Sequence, residues 1–328
     1  MNYIGIDIGG TKCVAILGEE SGGTWKIKEK IMFNTAGKTP ANVLTKFDSF
    51  IKKITSEYKI EGIGISCGGP LDSKNGVILS PPNLPGWDEV RITEHFQSQW
   101  GIKTFLQNDA NACALAEWKY GAGKDCKDMV FLTFGTGLGA GIIANGRLIC
   151  GASNMAGEVG HIRLRKTGPV GYGKHGSFEG FCSGGGIAQL GVAAINAELK
   201  NGRSPKLLSV VNGDTKQITA KLIGNLADGG DDLCLRIYEK CGTMLGEGLS
   251  IIIDLLNPEA IVLGSIYMRS EHLLRAAAMR VIEKEALSYS RKACELRPAE
   301  LGERLGDIAA LSVATGEFKG VYNDGKTY

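Results

Sequence analysis

Tyr3-Ile-Gly-Ile-Asp-Ile8, running into Gly9-Gly10-Thr11-Lys12, is the stretch on which the fold turns. A short β-rich apolar run ends in a glycine turn, and a second apolar run, Cys13 to Leu17, follows at once. Gly22-Gly23 then turns the chain into a third strand near Trp25 to Met32, completing a meander. The pattern returns later in the chain. Met129 to Phe134 is apolar, Gly135-Thr136-Gly137-Leu138-Gly139 is a glycine-rich turn, and Ala140 to Ala144 resumes the strand. Asn145-Gly146, a strong hairpin signal, leads to Arg147 to Cys150. A recurring unit of this kind predicts two related α/β domains facing each other, their glycine turns suited to grip a polyphosphate from both sides.

Between the repeats the spacing predicts a helix over Ala41 to Tyr58 and a buried strand over Gly62 to Ser66. A loop rich in Gly, Pro and Asn extends through Trp87, a strand covers Lys103 to Gln107, and an Ala-rich helix runs to Tyr120. The second half reads as helices over Gly186 to Lys200, Gln217 to Ala227, Asp232 to Leu256 and Glu271 to Leu287. One buried strand, Ala260 to Leu263, interrupts them before Gly264-Ser265, and a last helix covers Asp307 to Phe318. The domains expected are 1–116 plus 302–328 and 117–301, with a helix near Glu117 as hinge.

At 328 residues the chain exceeds one ordinary core, in keeping with two domains. A formal net charge of +2, carried by scattered rather than clustered Lys and Arg, argues against a nucleic-acid surface. The nine Cys form no Cys-x-x-Cys pair, and Cys13, Cys67 and Cys150 sit in apolar runs as small buried thiols. The strand pattern begins at Tyr3 with no leader read before it. No apolar run reaches the roughly 20 residues that span a bilayer, so a cytoplasmic protein without membrane partners is expected. Gly is abundant, at 47 residues, and gathers at Gly9-Gly10, Gly68-Gly69, Gly135 to Gly141 and Gly184 to Gly186, which points to close backbone approach to a phosphate or sugar.

Three groups carry chemistry. In Asp7-Ile8-Gly9-Gly10-Thr11-Lys12 the glycines expose backbone N–H groups, Thr11 offers a hydroxyl, and Asp7 could hold Mg²⁺ through water. Alone this could equally be a polar hairpin turn; its echo at Gly135-Thr136-Gly137 favours phosphate binding. Asp109, after Asn108 at the end of a buried strand, suits a base that takes a hydroxyl proton during phosphoryl transfer, or simply an N-cap for the helix that follows. Glu158, His161 and Glu179 supply acceptors and an imidazole suited to a polyol, although a lone His is more often structural or, in other settings, a Zn²⁺ ligand.

With those residues in view, the chain resembles the ROK family of sugar kinases and sugar-responsive repressors over essentially its full length. The motifs are Asp7-Ile-Gly-Gly-Thr-Lys12, Asn83-Leu-Pro-Gly-Trp87, Asn108-Asp-Ala-Asn111, Gly135-Thr-Gly-Leu-Gly-Ala-Gly141 and Gly157-Glu-Val-Gly-His161, in the family's order. The resemblance implies an actin-like, ribonuclease H-like fold of two α/β domains with an interdomain cleft that closes over ATP and a hexose, and a homodimer. It implies Asp109 as base, and Gly69, Asn83, Asn108, Glu158, His161 and Glu179 as sugar ligands, with Trp87 beside them. Gly9, Gly10, Thr11, Lys12, Thr136 and Gly137 would hold the phosphates of ATP with Mg²⁺, and Gly264 and Ser265 would lie near the adenosine.

Two departures stand out. Many family members carry a zinc loop reading Cys-x-Cys-Gly-x-x-Gly-Cys-x-Glu, whereas Val170, Tyr172 and Ser177 occupy its Cys positions here before Glu179. Three of four ligands are lost and His161 and His175 cannot replace them, so no zinc is expected, with Val170, Tyr172 and Phe178 packing to hold the loop. Ser265 stands where the family usually has Gly. The function expected is ATP-dependent phosphorylation of a hexose or N-acetylhexosamine, at the 6-hydroxyl. The alternatives are a repressor, for which a strand starting at Tyr3 leaves no room for a preceding DNA-binding motif, and a sugar-binding protein without activity.

Overall fold

A computed structural model describes residues 1–318. The chain begins with β1 (Asn2–Ile8), β2 (Lys12–Ser21), β3 (Thr24–Asn34), α1 (Pro40–Thr55), β4 (Ile60–Cys67), β5 (Leu71–Asp72), β6 (Val77–Ile78), α2 (Ile92–Trp100), β7 (Thr104–Asn108) and α3 (Asp109–Tyr120). It continues with β8 (Met129–Phe134), β9 (Leu138–Ala144), β10 (Arg147–Ile149), β11 (Val170–Gly171), β12 (Lys174–His175), α4 (Phe178–Phe181), α5 (Gly184–Lys200), α6 (Lys206–Val210) and α7 (Ala220–Asp228). The last elements are α8 (Asp232–Leu256), β13 (Ala260–Leu263), α9 (Ile266–Glu285), α10 (Ser288–Ala293), β14 (Glu295–Pro298) and α11 (Leu305–Ala314). No helix among the described residues is long and apolar enough to cross a membrane.

The repeat read in the sequence is present as two five-stranded sheets of one strand order, β3-β2-β1-β4-β7 and β10-β9-β8-β13-β14. In each, a meander of three strands is extended by two more from later in the chain. β1 pairs antiparallel with β2 and parallel with β4, and β4 pairs parallel with β7, so the carboxyl ends of β1, β4 and β7 lie side by side. The chain divides into two compact units. One holds Met1–Phe131, Gly141–Ala156 and the described residues from Glu300 on; the other holds Leu132–Ala140 and Gly157–Ala299.

In the first unit α1 shows how sequence becomes packing. Thr39 caps it by accepting from Asn42 N, Pro40 fills the first turn where no N–H is needed, and Val43, Phe47, Phe50, Ile51 and Ile54 form one apolar stripe against the sheet. On β4 and β1 the side chains are removed to admit α11. A Cβ on Gly64 would lie 2.8 Å from Ala314 Cα, and one on Gly5 3.0 Å from Ala310 Cβ. Glu117, fully buried in α3, accepts from Ala122 N at 2.8 Å, Glu300 N at 3.2 Å and Leu301 N at 3.0 Å. A carboxylate shared among three backbone donors is well satisfied, and it ties α3 to the segment that leads into α11.

Several elements escape the hydrophobic pattern for identifiable reasons. α2 buries only Ile92 and Phe96, too few to print a stripe. The helix expected from Glu271 starts five residues earlier, because Ser270 (φ −127°, ψ 21°) breaks its regular geometry and masks the first turn. β14 has one buried side chain, Leu296, and α10 none. Gly64→Val should lower the stability of the chain by about 3 kcal/mol, since the added branches meet backbone rather than a movable side chain. Chemical denaturation would show it as a lower midpoint; an unchanged midpoint would mean that α11 is not held against β4 as described.

Candidate active site

The first unit collects its candidate residues at the carboxyl ends of three parallel strands. Asp7 closes β1 opposite Ser66, and Cys67 of β4 lies opposite Asn108 of β7. In open α/β sheets this edge is where ligands bind. Gly68 and Gly69 leave the space there clear: a Cβ on Gly68 would stand 4.0 Å from Asp109 Oδ2, and one on Gly69 3.6 Å from Asn108 Nδ2. The turn after β1 is closed by Gly9 N donating to Lys12 O at 3.0 Å, so that N–H is spent within the hairpin. Gly10 lies directly against the backbone of Asn83, where a Cβ would be 2.9 Å from Asn83 Cβ. Thr11, Lys12 and Asn83 are exposed. Trp87 is instead a core residue, 1% exposed, which anchors the Asn83 loop along a cavity of about 380 Å³ that Gly10, Lys38 and Asn83 also line.

Asn108, not Asp109, caps α3. Its Oδ1 accepts from Ala110 N at 2.9 Å and Asn111 N at 3.3 Å. Asp109 is the first residue of the helix; its Oδ1 accepts from Ala110 N at 2.8 Å. The Asp109 side chain is open to solvent on one side and crowded by protein on the others. That crowding raises its pKa, opposed by hydrogen bonds from the backbone of Ala110 and the side chain of Asn108. For Asp7, burial first and Asp109 second push the pKa up to about 7, with Lys12 pulling the other way. For two carboxyl groups so placed, Lys12 and Lys30 supply only part of the countercharge. A hydrated Mg²⁺ would supply the rest, and Asp7 is the residue that fits the role.

The second unit gathers a different set. Gly135 N donates to Gly137 O at 3.0 Å, closing the second glycine turn as Gly9 closes the first. Leu138 N donates to Glu179 Oε2 at 3.0 Å, and a Cβ on Gly137 would lie 2.8 Å from that oxygen. Glu179 therefore borders the turn of Thr136 and Gly137 directly. Glu158 and His161 flank a single 3₁₀ turn, Val159–His161, and residues three apart in such a turn share a face. Gly160, at its centre, packs on Leu138 O, and a Cβ there would lie 3.2 Å from Glu179 Cβ. Gly160, between Glu158 and His161, thus packs beside Glu179 and the start of β9. Phe178 fixes α4, and with it Glu179: its ring is fully buried over Gly248 of α8, where any side chain would collide with it.

Gly264 N donates to Leu132 O at 3.0 Å, which places the end of β13 next to β8, and Ser265 lies beside Gly135. Ser265 holds φ 52° and ψ −107°. Only glycine takes this backbone readily, which gives a physical reason for Gly at that position and puts a strain of about 1–3 kcal/mol on Ser265.

Of Val170, Tyr172 and Phe178, expected to pack and hold the loop, Phe178 is fully buried but Tyr172 is not. Tyr172 is 72% exposed at φ 44°, so it does not pack the loop; its ring stands edge-on to His161, centroids 6.3 Å apart. Fully buried Ser177 holds it instead, accepting from Gly180 N at 3.0 Å and donating to Gly171 O at 3.4 Å. Gln189 brackets Val170, accepting from its N at 2.8 Å and donating to its O at 2.9 Å. Val170, Tyr172 and Ser177 offer no thiolate, so this donor set does not fit a zinc ion. The fold also joins a buried trio, Gln107, Asn111 and Cys150, that the sequence does not link. Its signal was polar residues at the inward positions of β7 and an otherwise alanine-rich helix.

The ROK family model matches residues 3–317. A glucokinase of Thermotoga maritima is 30% identical over 318 residues, covering 95% of this chain and 97% of the relative. The xylose repressor of Bacillus subtilis is 26% identical over 264 residues, 80% of this chain and 63% of the repressor. Among solved structures, a ROK family glucokinase from Streptomyces griseus in complex with glucose and AMPPNP is 27% identical with a TM-score of 0.76, covering 96% of this chain and all of that one (100%).

A carboxyl that titrates near 7 in the folded chain, against 3.8 ordinarily, keeps its proton between those values only when folded. Stability therefore falls as pH rises from about 4 to about 7. Asp7→Asn lacks this penalty. Without nucleotide or metal it should melt higher than the unsubstituted chain at pH 8, by about 2–6 °C, and the gain should vanish near pH 4. A gain equal at both pH values would contradict the assignment.

Proposed function

The chain belongs to the ROK family and has its actin-like, two-domain α/β fold, and from that premise we propose that it is an ATP-dependent sugar kinase acting on a hexose or N-acetylhexosamine. The observation that carries the reading is Asp109. It stands at the carboxyl edge of the first sheet, relieved of the capping role by Asn108, with Gly68 and Gly69 leaving its second oxygen uncovered.

Phosphoryl transfer asks little covalent chemistry of the protein; it asks for alignment, charge neutralisation and a proton acceptor. Asp109 is assigned to take the proton of the attacking hydroxyl, proposed to be the 6-hydroxyl. Its raised pKa makes it a better proton acceptor than an ordinary carboxylate. Asn83 and Asn108, with the backbone at Gly69, are assigned to the sugar, as are Glu158, His161 and Glu179. Carboxylates and amides suit hydroxyls because each accepts or donates at several positions. The two glycine turns, with Thr11, Lys12 and Thr136, are assigned to the phosphates, and Gly264 and Ser265 to the adenosine side. Mg²⁺, when bound, supplies the positive charge that the phosphate oxygens and Asp7 share. The names of the glucokinase relatives support this reading, and the loss of thiolates from the loop does not oppose it, because Ser177, Gln189 and Phe178 hold Glu179's segment.

A coupled ADP-release assay with MgATP and glucose, mannose, fructose, allose, N-acetylglucosamine or N-acetylmannosamine tests it. Turnover of at least about 1 s⁻¹ on one of these is expected, with phosphorus NMR placing the new phosphate on the primary hydroxyl. ADP release no greater than the sugar-free background throughout the panel would refute kinase activity and favour a sugar-sensing role.

A further inference from the structure

We propose that Gln107, Asn111 and Cys150 form a positioning unit that fixes the Asn108-Asp109 turn and roots it to the loop leading to Glu158. Its kinetic consequences rest on the kinase reading above; its structural ones do not.

The three side chains are buried, at 0%, 1% and 7% exposure, in the first unit. Gln107 Oε1 accepts from Asn108 N at 2.9 Å and from Asn111 Nδ2 at 3.1 Å. In an ordinary capping box, the side chain at the third helical position reaches back to the N–H of the cap residue. Here Asn111 holds that third position and Asn108 is the cap, but the Gln107 carbonyl stands between them and takes a hydrogen bond from each. Asn108 is thus gripped twice, through its own N–H and through its Oδ1 on the first turn. Asp109 lies between the two grips.

Cys150 completes the unit. Gln107 Nε2 points at its Sγ from 3.7 Å and Asn111 Nδ2 from 4.0 Å. Cys150 directly follows β10, and its carbonyl accepts from Ala156 N at 3.0 Å, closing the loop just before Gly157 and Glu158. Ser73 Oγ donates to Asn154 Oδ1 of the same loop at 2.6 Å. One sulfur therefore touches the two amides that set the base and begins the segment carrying a proposed sugar ligand.

Stability alone does not account for this choice of residues. Asn111 Oδ1 is buried without a hydrogen-bond partner, which costs stability. An apolar side chain of similar volume at 111 would fill the space without that orphaned oxygen. What amides add is direction, because a buried hydrogen-bond network fixes torsions that apolar packing leaves free. The torsions fixed here are those of the peptides on either side of Asn108, from which Asp109 projects.

The test compares Gln107→Leu, Cys150→Ala and Cys150→Ser with the unsubstituted chain, by steady-state kinetics and by amide hydrogen exchange over residues 108–111. In Gln107→Leu, exchange should quicken about tenfold or more, and kcat should fall about 10- to 100-fold with KM for ATP within about twofold. Cys150→Ala should lower kcat about 3- to 10-fold, and Cys150→Ser, which restores an acceptor, should return it to within about twofold. Unchanged exchange in Gln107→Leu would overturn the proposal, as would a Ser variant no better than Ala. If the unsubstituted chain phosphorylates no sugar, the kinase reading fails separately, and exchange alone decides the positioning unit.

Discussion

The parallel register of β1, β4 and β7 is the constraint from which the first half of the site follows. Hydrogen bonding aligns Asp7 with Ser66 and Cys67 with Asn108, so three strand ends must finish at one edge. Whatever follows each strand is delivered there: the Gly9-Gly10 turn, Gly68-Gly69, and the first turn of α3. On those strands Gly5 and Gly64 allow α11 to lie against the sheet more closely than any side chain would permit. A segment near the end of the described chain thereby braces strands from its beginning, and buried Glu117 holds the start of that segment to α3.

Within that frame the polar groups divide the labour. Asn108 takes over the helix cap that an aspartate would otherwise fill, and Asp109 accepts from Ala110 N through Oδ1, leaving Oδ2 for the proton transfer proposed for it. The second unit solves a similar problem with small residues. Gly160 sets the turn of Glu158 and His161 on the start of β9, and Gly248 makes the notch in which Phe178 anchors the helix of Glu179. In both units the groups proposed to meet the substrate sit on short, rigid turns between buried elements, which limits the entropy lost in aligning them.

Much of this was legible in the sequence because the physics is local. Alternating apolar runs and glycine turns announce β1 to β3 and β8 to β10, and their repetition announces two sheets of one topology. Asp7, Asn108-Asp109 and Glu158-His161 were visible because charged or amide residues stood at strand ends or in glycine-rich turns. Less legible was whatever depends on partners distant in sequence. Nothing near Tyr172 says that it faces solvent, since Ser177 and Gln189 had already taken over the loop. Ser265 reads as a mild substitution until its positive φ is known. Gln107 and Cys150 lie 43 residues apart, and only the fold joins them.

Asp109→Asn tests the central claim most directly, with sugar binding followed by titration calorimetry and turnover by ADP release on the same preparation. Removing a proton acceptor while keeping shape should leave sugar affinity within a few-fold and reduce kcat by about 10²- to 10⁴-fold. Turnover within tenfold of the unsubstituted chain, with sugar binding intact, would show that Asp109 is not the base.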